Sequence, residues 1–385
     1  MQLFIMTSNY LVLSDLVLYL CHSINQKFIK MKKNLRNVLA LTLGLITTVA
    51  SAQDWNVDSR TRIDMSGENS KMLTEQRATL GATWGADDWG IHLSSDVNYE
   101  LETGVASMNV YEAYTSANNL LMGYVNLTAG RMALDYGSGA LMSSNQWGAT
   151  RTTWDGLKFG INNDFLGLTI GMASKNDGGD DSTVTSSSNI YVNASKEVAG
   201  LDVNLLYMMG SSTASGTEGD ATSALGLDLG YGLMDGALNL AVSYNMQDSD
   251  ADSSAAAMMN VGATYQVMDA LTAGVSYTSY TGDKGFAMDG TNMSGGWANG
   301  NMGYLGANDQ DIAIDVAYAL TNLNIGLGYH MVSNSEDTDY ERSVIDLSVG
   351  YTISDNASLG LRYATDTTGD LDAEKYTWVT LSVRP

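Results

Sequence analysis

Cysteine occurs once in this chain, at Cys21, and proline once, at Pro385. The first scarcity excludes a disulfide-stapled fold for nearly the whole sequence. The second removes the residue least compatible with an internal strand from every place where a backbone hydrogen-bond ladder would run. Positive charge is scarce as well. Against 43 Asp and Glu stand 19 Lys and Arg, a formal net charge of −24, and Lys27, Lys30, Lys32, Lys33 and Arg36 all precede residue 53. A nucleic-acid partner, which needs a basic surface for its phosphates, is excluded by that balance. Beyond residue 53 no apolar run approaches the ~18 residues of a membrane helix.

The start of the chain reads as an address. Lys32, Lys33 and Arg36 form a basic stretch, residues 38–49 an apolar core, and Ala50-Ser51-Ala52 a small-residue cleavage site. Residues 31–52 are therefore expected to be a secretory signal peptide, residues 1–30 a mis-assigned upstream extension, and residues 53–385 a single exported domain. Cys21 lies before the cleavage site, so no lipid-modified N-terminus is expected.

What the rest of the chain does contain is a repeat. Residues 312–331 read IAIDVAYALTNLNIGLGYHM, with Ile312, Ile314, Val316, Tyr318 and Leu320 alternating in one arm and Leu323, Ile325, Leu327, Tyr329 and Met331 in the other. Thr321-Asn322 joins the two arms as a tight turn. The residues between are small or polar. The same hairpin recurs with its Tyr in place: Tyr207, Tyr244, Tyr277, Tyr329 and Tyr363 on one set of arms, Tyr231, Tyr265, Tyr318 and Tyr351 on the other. Alternating faces and two rings of interfacial aromatics are the signature of strands that cross a membrane. A membrane sheet must close, because unpaired backbone groups facing lipid cost several kcal/mol each. The expected fold is all-β, a transmembrane antiparallel up-and-down β-barrel of about 18 strands, with 16 as the alternative.

In chain order the expected strands include 106–116, 121–131, 151–161, 189–197 and 222–233. Short turns such as 321–322 and 354–356 alternate with longer connections rich in Gly, Ser and Asp at 132–150, 175–188, 211–221, 281–309 and 366–374. Short turns belong at the periplasmic rim and long loops outside. In 121–131 strict alternation pushes Arg131 toward lipid, at a cost of ~2–4 kcal/mol at the midplane. A bulge at Gly130 is expected to turn it inward.

From Gly130 to Gly156 the chain reads GRMALDYGSGALMSSNQWGATRTTWDG. Gly130 and Arg131 close a strand, Tyr136 and Gly137 open a loop, Trp147 follows, and Arg151, Asp155 and Gly156 lead into the next strand. In this the stretch resembles the alginate-export-type outer-membrane porins. The resemblance implies an eighteen-stranded barrel that passes small or anionic solutes. Alginate-conducting members line their channel with many basic residues, whereas this chain has few, so polysaccharide export does not follow from the motif.

Alternation assigns a lumen face strand by strand. The expected pore-lining residues are Arg60, Arg62, Glu75, Arg77, Asp96, Glu100, Arg131, Lys158, Asp202, Asp228, Asp315, His330, Asp346, Arg362 and Arg384. Most of the bases fall on the first two and last two strands, which adjoin on closure, with Asp202 and Asp228 opposite. Such a layout sets a field across a constriction; the alternative is charge scattered by parity over an ordinary polar interior. His92 and His330 also project inward and are read as lining water, so no enzymatic activity is expected. Acidic stretches occupy Asp177–Asp181, Asp248–Asp252, Glu336–Glu341 and Asp366–Glu374. The one at Asp248 has Ser253 and Met259 where a calcium loop needs Gly and Glu, so a solvated acidic rim is expected and no metal or other cofactor.

The sequence thus reads as an outer-membrane channel for passive diffusion of small hydrophilic solutes, weakly cation-preferring because lumen acids outnumber bases. A structural or adhesive barrel blocked by residues 281–309 is the alternative reading, alongside polysaccharide export. Its partners would be outer-membrane lipid and small polar solutes, and the number of subunits is left open.

Overall fold

The computed structural model describes residues 54–384 apart from 68–71, 163–164, 177–184, 215–216, 250–254 and 283–284. The expected upstream extension and signal peptide lie outside the described residues, as do the acidic stretch at Asp177–Asp181 and most of Asp248–Asp252.

Eighteen strands follow one another: β1 (Asp54–Asp64), β2 (Leu73–Ala86), β3 (Trp89–Glu100), β4 (Ala106–Asn119), β5 (Val125–Met132), β6 (Trp154–Ile161), β7 (Gly167–Asn176), β8 (Thr185–Val198) and β9 (Leu201–Ala214) make the first half. The second half is β10 (Thr217–Leu233), β11 (Leu238–Ser249), β12 (Ala256–Met268), β13 (Leu271–Thr281), β14 (Asp309–Ala319), β15 (Leu323–Asn334), β16 (Glu341–Ser354), β17 (Ala357–Thr368) and β18 (Glu374–Val383). Each strand pairs with the next, and β18 pairs antiparallel with β1 through Ser59↔Val383 to Asp64↔Trp378. The sheet therefore has no edge, which is what the missing prolines permit and what lipid requires. The eighteen-stranded expectation holds. The strand expected at 121–131 begins only at Val125, because Leu120–Gly123 forms a tight turn with left-handed Asn119, Leu121 and Met122.

The template hairpin folds as its alternation demands. Ile312↔Met331, Ile314↔Tyr329, Val316↔Leu327 and Tyr318↔Ile325 stand opposite one another across β14 and β15, and all eight side chains are exposed on the outer face. Tyr207 lies opposite Leu225 and Tyr231 opposite Leu201, so the two tyrosine rings occupy opposite ends of the outer apolar band. Aromatic side chains at those two depths match the two membrane interfaces.

One irregularity sits elsewhere than expected. The register of β5 against β6 runs unbroken from Val125↔Ile161 to Met132↔Trp154, with no bulge at Gly130. Arg131 and Asp155 consequently stay on the face that carries Leu157 and Phe159, which corrects the expectation of an inward-facing Arg131. Gly130 is required for a different reason: its φ of +131° disfavours other residues, and a Cβ there would strike the Ala113 carbonyl. The bulge lies one strand earlier, where the register of β3 and β4 shifts between Ser94↔Glu112 and Ser95↔Val110 and leaves Tyr111 unmatched. As a result both Tyr111 and Glu112 reach the interior.

The buried apolar cluster is built inside the barrel, not between layers. Met132, Leu134, Leu141, Met142 and Trp154 meet Tyr191, Leu206, Met208, Met258, Tyr280, Phe286, Leu305 and Val332. Those residues come from inward-facing strand positions and from two connections, 133–153 and 282–308, whose described residues fold into the bore. Each fully enclosed side chain of the size of Met142 or Phe286 contributes roughly 1.5–3 kcal/mol. That burial is the main term set against the backbone entropy of ordering two long loops, about 1–2 kcal/mol per residue.

Candidate functional site

The connection 133–153 is held at its root, its middle and its tip. At the root, the Ala133 N–H donates to Glu112 at 3.1 Å, an acceptor available inside only because of the bulge at Tyr111. In the middle, three arginines grip three consecutive carbonyls. Arg60 donates to the carbonyls of Gln146 and Gly148 at 3.0 and 3.2 Å, Arg77 to the same two at 3.2 and 3.1 Å, and Arg62 to that of Trp147 at 2.9 Å. Arg62 also pairs with Glu75 at 2.5 Å. Arg151 forks onto Asp96, donates to Thr79 at 2.9 Å and lies 3.3 Å above the Tyr111 ring. At the tip, the Ser138 N–H donates to Asp228 at 3.0 Å, and the Ser138 and Ser243 hydroxyls are 3.1 Å apart. Because β10 stands nine strands from β1 in the closed order, the loop crosses the full bore.

The connection 282–308 completes the narrowing from the other side. Its Asn292 N–H donates to Ser143 at 2.7 Å, and Tyr304 donates to the Ala140 carbonyl, so the loops lock together. Burial pushes the Tyr304 phenol upward, which keeps it a donor. The Trp297 ring stacks on Tyr376 at 4.9 Å, and its N–H donates to Asp366 at 2.7 Å. Asp366 is held in turn by Arg342 at 2.8 and 2.5 Å.

Among the cavities left against the wall, two adjoin at the tip of loop 133–153. One of about 460 Å³ lies between loop 282–308 and the inner face of β12–β17, and includes Met258, Tyr280, Met302, Asp311, His330 and Arg362. The other, about 690 Å³, lies under the tip of loop 133–153 and includes Lys196, Glu197, Asp202 and Asp228. They share Ser138, Ser243 and Asn260.

The expected pore-lining residues separate into groups. Arg60, Arg62, Glu75, Arg77 and Asp96 meet at the anchored loop, and Asp202, Asp228, His330, Asp346 and Arg362 line the two cavities. Asp315 shares a cross-strand row with Gly328 and Asp346, and Lys158 stands opposite Thr128 and Gly171 on the inner face. Two fall at the rims. Glu100 accepts from the Thr103 hydroxyl at 2.8 Å in an exposed turn, and Arg384 lies exposed just past β18. Arg131, on the outer face, is the one that leaves the lumen. Sequence parity missed Arg151, whose place is fixed by a loop and not by a strand, and Arg342. The only sequence signal for Arg151 was its spacing to Asp155 and Gly156. His92 stacks on Tyr114 and bonds Thr83 at 2.9 Å, with Glu112 at 3.6 Å.

A closed eighteen-stranded barrel with an apolar belt and inward-folded loops defines an outer-membrane channel. The chain belongs to the Gram-negative porins, whose family model matches residues 38–371. It is a porin-like channel for small solutes of the outer membrane, and the alginate-export-type resemblance is not supported. No curated protein sequence matches the chain. Among solved structures it is similar to Pseudomonas aeruginosa OccK3 (OpdO), with a TM-score of 0.65 at 12% identity over 88% of this chain and 97% of that one. Acinetobacter baumannii OccAB4 gives 0.66 at 12% over 86% and 97%. Pseudomonas aeruginosa OpdK, crystallised with vanillate, gives 0.66 at 13% over 87% and 99%. At such identities the likeness is one of fold.

Proposed function

We propose that this channel passes small hydrophilic solutes passively and prefers cations weakly. One observation carries the reading: the arginines of β1 and β2 spend their donors on loop carbonyls, and Arg62 and Arg77 are buried under the loop. They fasten the constriction, and the cavity that reaches Arg60 and Arg77, beside Glu75 and Glu100, is small, about 120 Å³. The open cavities, in contrast, are lined by Glu197, Asp202, Asp228, Asp311 and Asp346 against Lys196 and Arg362. An acidic lining in a narrow, poorly screened bore attracts cations, and salt weakens the effect over a Debye length of ~8–10 Å. The reversal potential across a bilayer bathed in unequal KCl tests this. A cation-selective sign that fades as salt is raised is expected, and a clear anion preference overturns the reading.

The apolar cluster between the two loops favours a second reading, a loop-plugged barrel in which transport is secondary. Absence of conductance steps from the purified protein, restored by shortening loop 282–308, is the result that would select it.

A further inference from the structure

We infer that the cavity between loop 282–308 and the β12–β17 wall is a binding subsite for an amphipathic organic cation, an ammonium or guanidinium group on a short apolar or aromatic body. The inference rests on the acidic-passage reading and adds a place where the permeating cation pauses.

The anchor is Asp311. Its residue is 7% exposed; Oδ2 bonds His330 Nδ1 at 2.9 Å, while Oδ1, itself enclosed, has no hydrogen-bond partner among the described residues. A buried carboxylate oxygen left without a donor is unfavourable, and Asp311 lines the cavity, so a charged donor that reaches it from the cavity supplies the missing partner. The neighbouring carboxylates are arranged differently. Asp346 is committed to Arg362, with contacts at 3.0 and 3.2 Å from Nε. Asp315 and Asp346 flank Gly328 in one cross-strand row, and the Asp315 carboxylate leans over the glycine, where a Cβ would lie 2.9 Å from its Oδ1. At a strand spacing of ~4.8 Å the two outer residues of that row stand about 10 Å apart, near enough to add field but not to chelate.

The ligand's class follows from what surrounds the carboxylate. No group of three or more His, Cys, Asp or Glu among the described residues is placed to hold a metal ion. Beyond the Asp311–His330 and Asp346–Arg362 pairs, the apolar part of the lining is Met258, Met293, Met302, Tyr280, Leu305 and Trp297. Thioethers and aromatic rings accommodate an apolar body, and aromatic faces attract an organic cation. About 460 Å³ falls in the size range of small-ligand sites.

The test is single-channel recording of the full barrel in KCl with phenethylammonium as the probe. Concentration-dependent interruptions of the current are expected for the wild type. Asp311→Asn should raise the half-blocking concentration at least tenfold, Met302→Trp should abolish the block by filling the apolar part, and Glu100→Gln at the outer rim should leave it within twofold. Phenylacetate, of the same size and opposite charge, should not block. Equal block in Asp311→Asn, or block by phenylacetate, overturns the subsite. A heat-modifiable gel shift confirms that each variant is folded. The KCl reversal potential, read in the same membranes, separates the two proposals: a cation-selective wild type without block sinks the subsite alone, whereas an anion-selective one sinks the passage reading.

Discussion

Arg131 and Asp155 face each other across β5 and β6 through a two-pronged contact, both arms at 2.8 Å, on the surface that lower down carries Leu157 and Phe159. An arginine on the outside of a membrane barrel is tolerated there because its charge is answered within one strand spacing. Asp155→Ala should therefore lower the denaturant midpoint of the barrel, and the double variant Arg131→Ala with Asp155→Ala should recover most of the loss. A double variant as unstable as the single one would mean that the pair is not what makes the arginine acceptable.

The anchoring of loop 133–153 makes a stability prediction. Arg151 and Asp96 have side chains only 7% and 4% exposed. Removing one partner of such a pair typically costs about 3–5 kcal/mol, because the other charge is left buried. Arg151→Met is expected to destabilise the barrel by that order and to raise single-channel conductance as the loop loosens. Loss of stability without a change in conductance would separate the pair from the constriction.

Shortening the second loop probes the narrowing directly. Replacing residues 286–306 with a short Gly-Ser linker removes Trp297, Tyr304 and Asn292 and with them the contacts to β18 and to loop 133–153. Conductance should increase severalfold. An unchanged conductance would show that the permeation path does not pass this loop.

The two faces of β15 can be tested side by side. Leu327 is 48% exposed on the outer face, and Leu323 to Met331 span roughly 19 Å of the bilayer normal at ~3.3 Å per residue and ~45° tilt. Leu327→Arg places a guanidinium near the midplane at ~2–4 kcal/mol and should block assembly. Gly326→Arg points into the bore, where the Ser348 hydroxyl has to move aside, and should still assemble. Equal yields of folded barrel from the two variants would contradict the face assignment.

What was legible in the sequence follows the physics of a two-residue period. Ile312, Val316 and Leu327 announce the lipid face because their alternation, which a half-buried soluble sheet would share, recurs hairpin after hairpin with its Tyr in place, and closure then follows from the backbone. Parity also placed Arg60, Arg77 and Asp228 inside. It could not say that those arginines would be occupied by the carbonyls of Gln146 and Gly148, since a loop carries no period. At Arg131 strict alternation pointed outward and was right; the bulge expected at Gly130 to turn it inward is absent from the β5–β6 register, and the real bulge sits in β4 at Tyr111, where the string of residues looks regular. Asp311 was passed over for the same reason as Arg342: each lies at a strand end, where the alternation gives way to loop contacts.

The indole of Trp147 lies 5.0 Å from the Arg62 guanidinium on β1 and 5.9 Å, edge to face, from Trp378 on β18. Those two strands are the first and last to be made, and their pairing is the seam that turns the sheet into a cylinder. A loop emitted between the fifth and sixth strands thus ends up riveting the join from within. Its docking site exists only after the ends of the chain have met in the right register, since a shift of one residue would turn Trp378 outward. Filling the bore and checking the closure are then one event, and a mis-zipped barrel would be recognisable by a gate that has nowhere to sit.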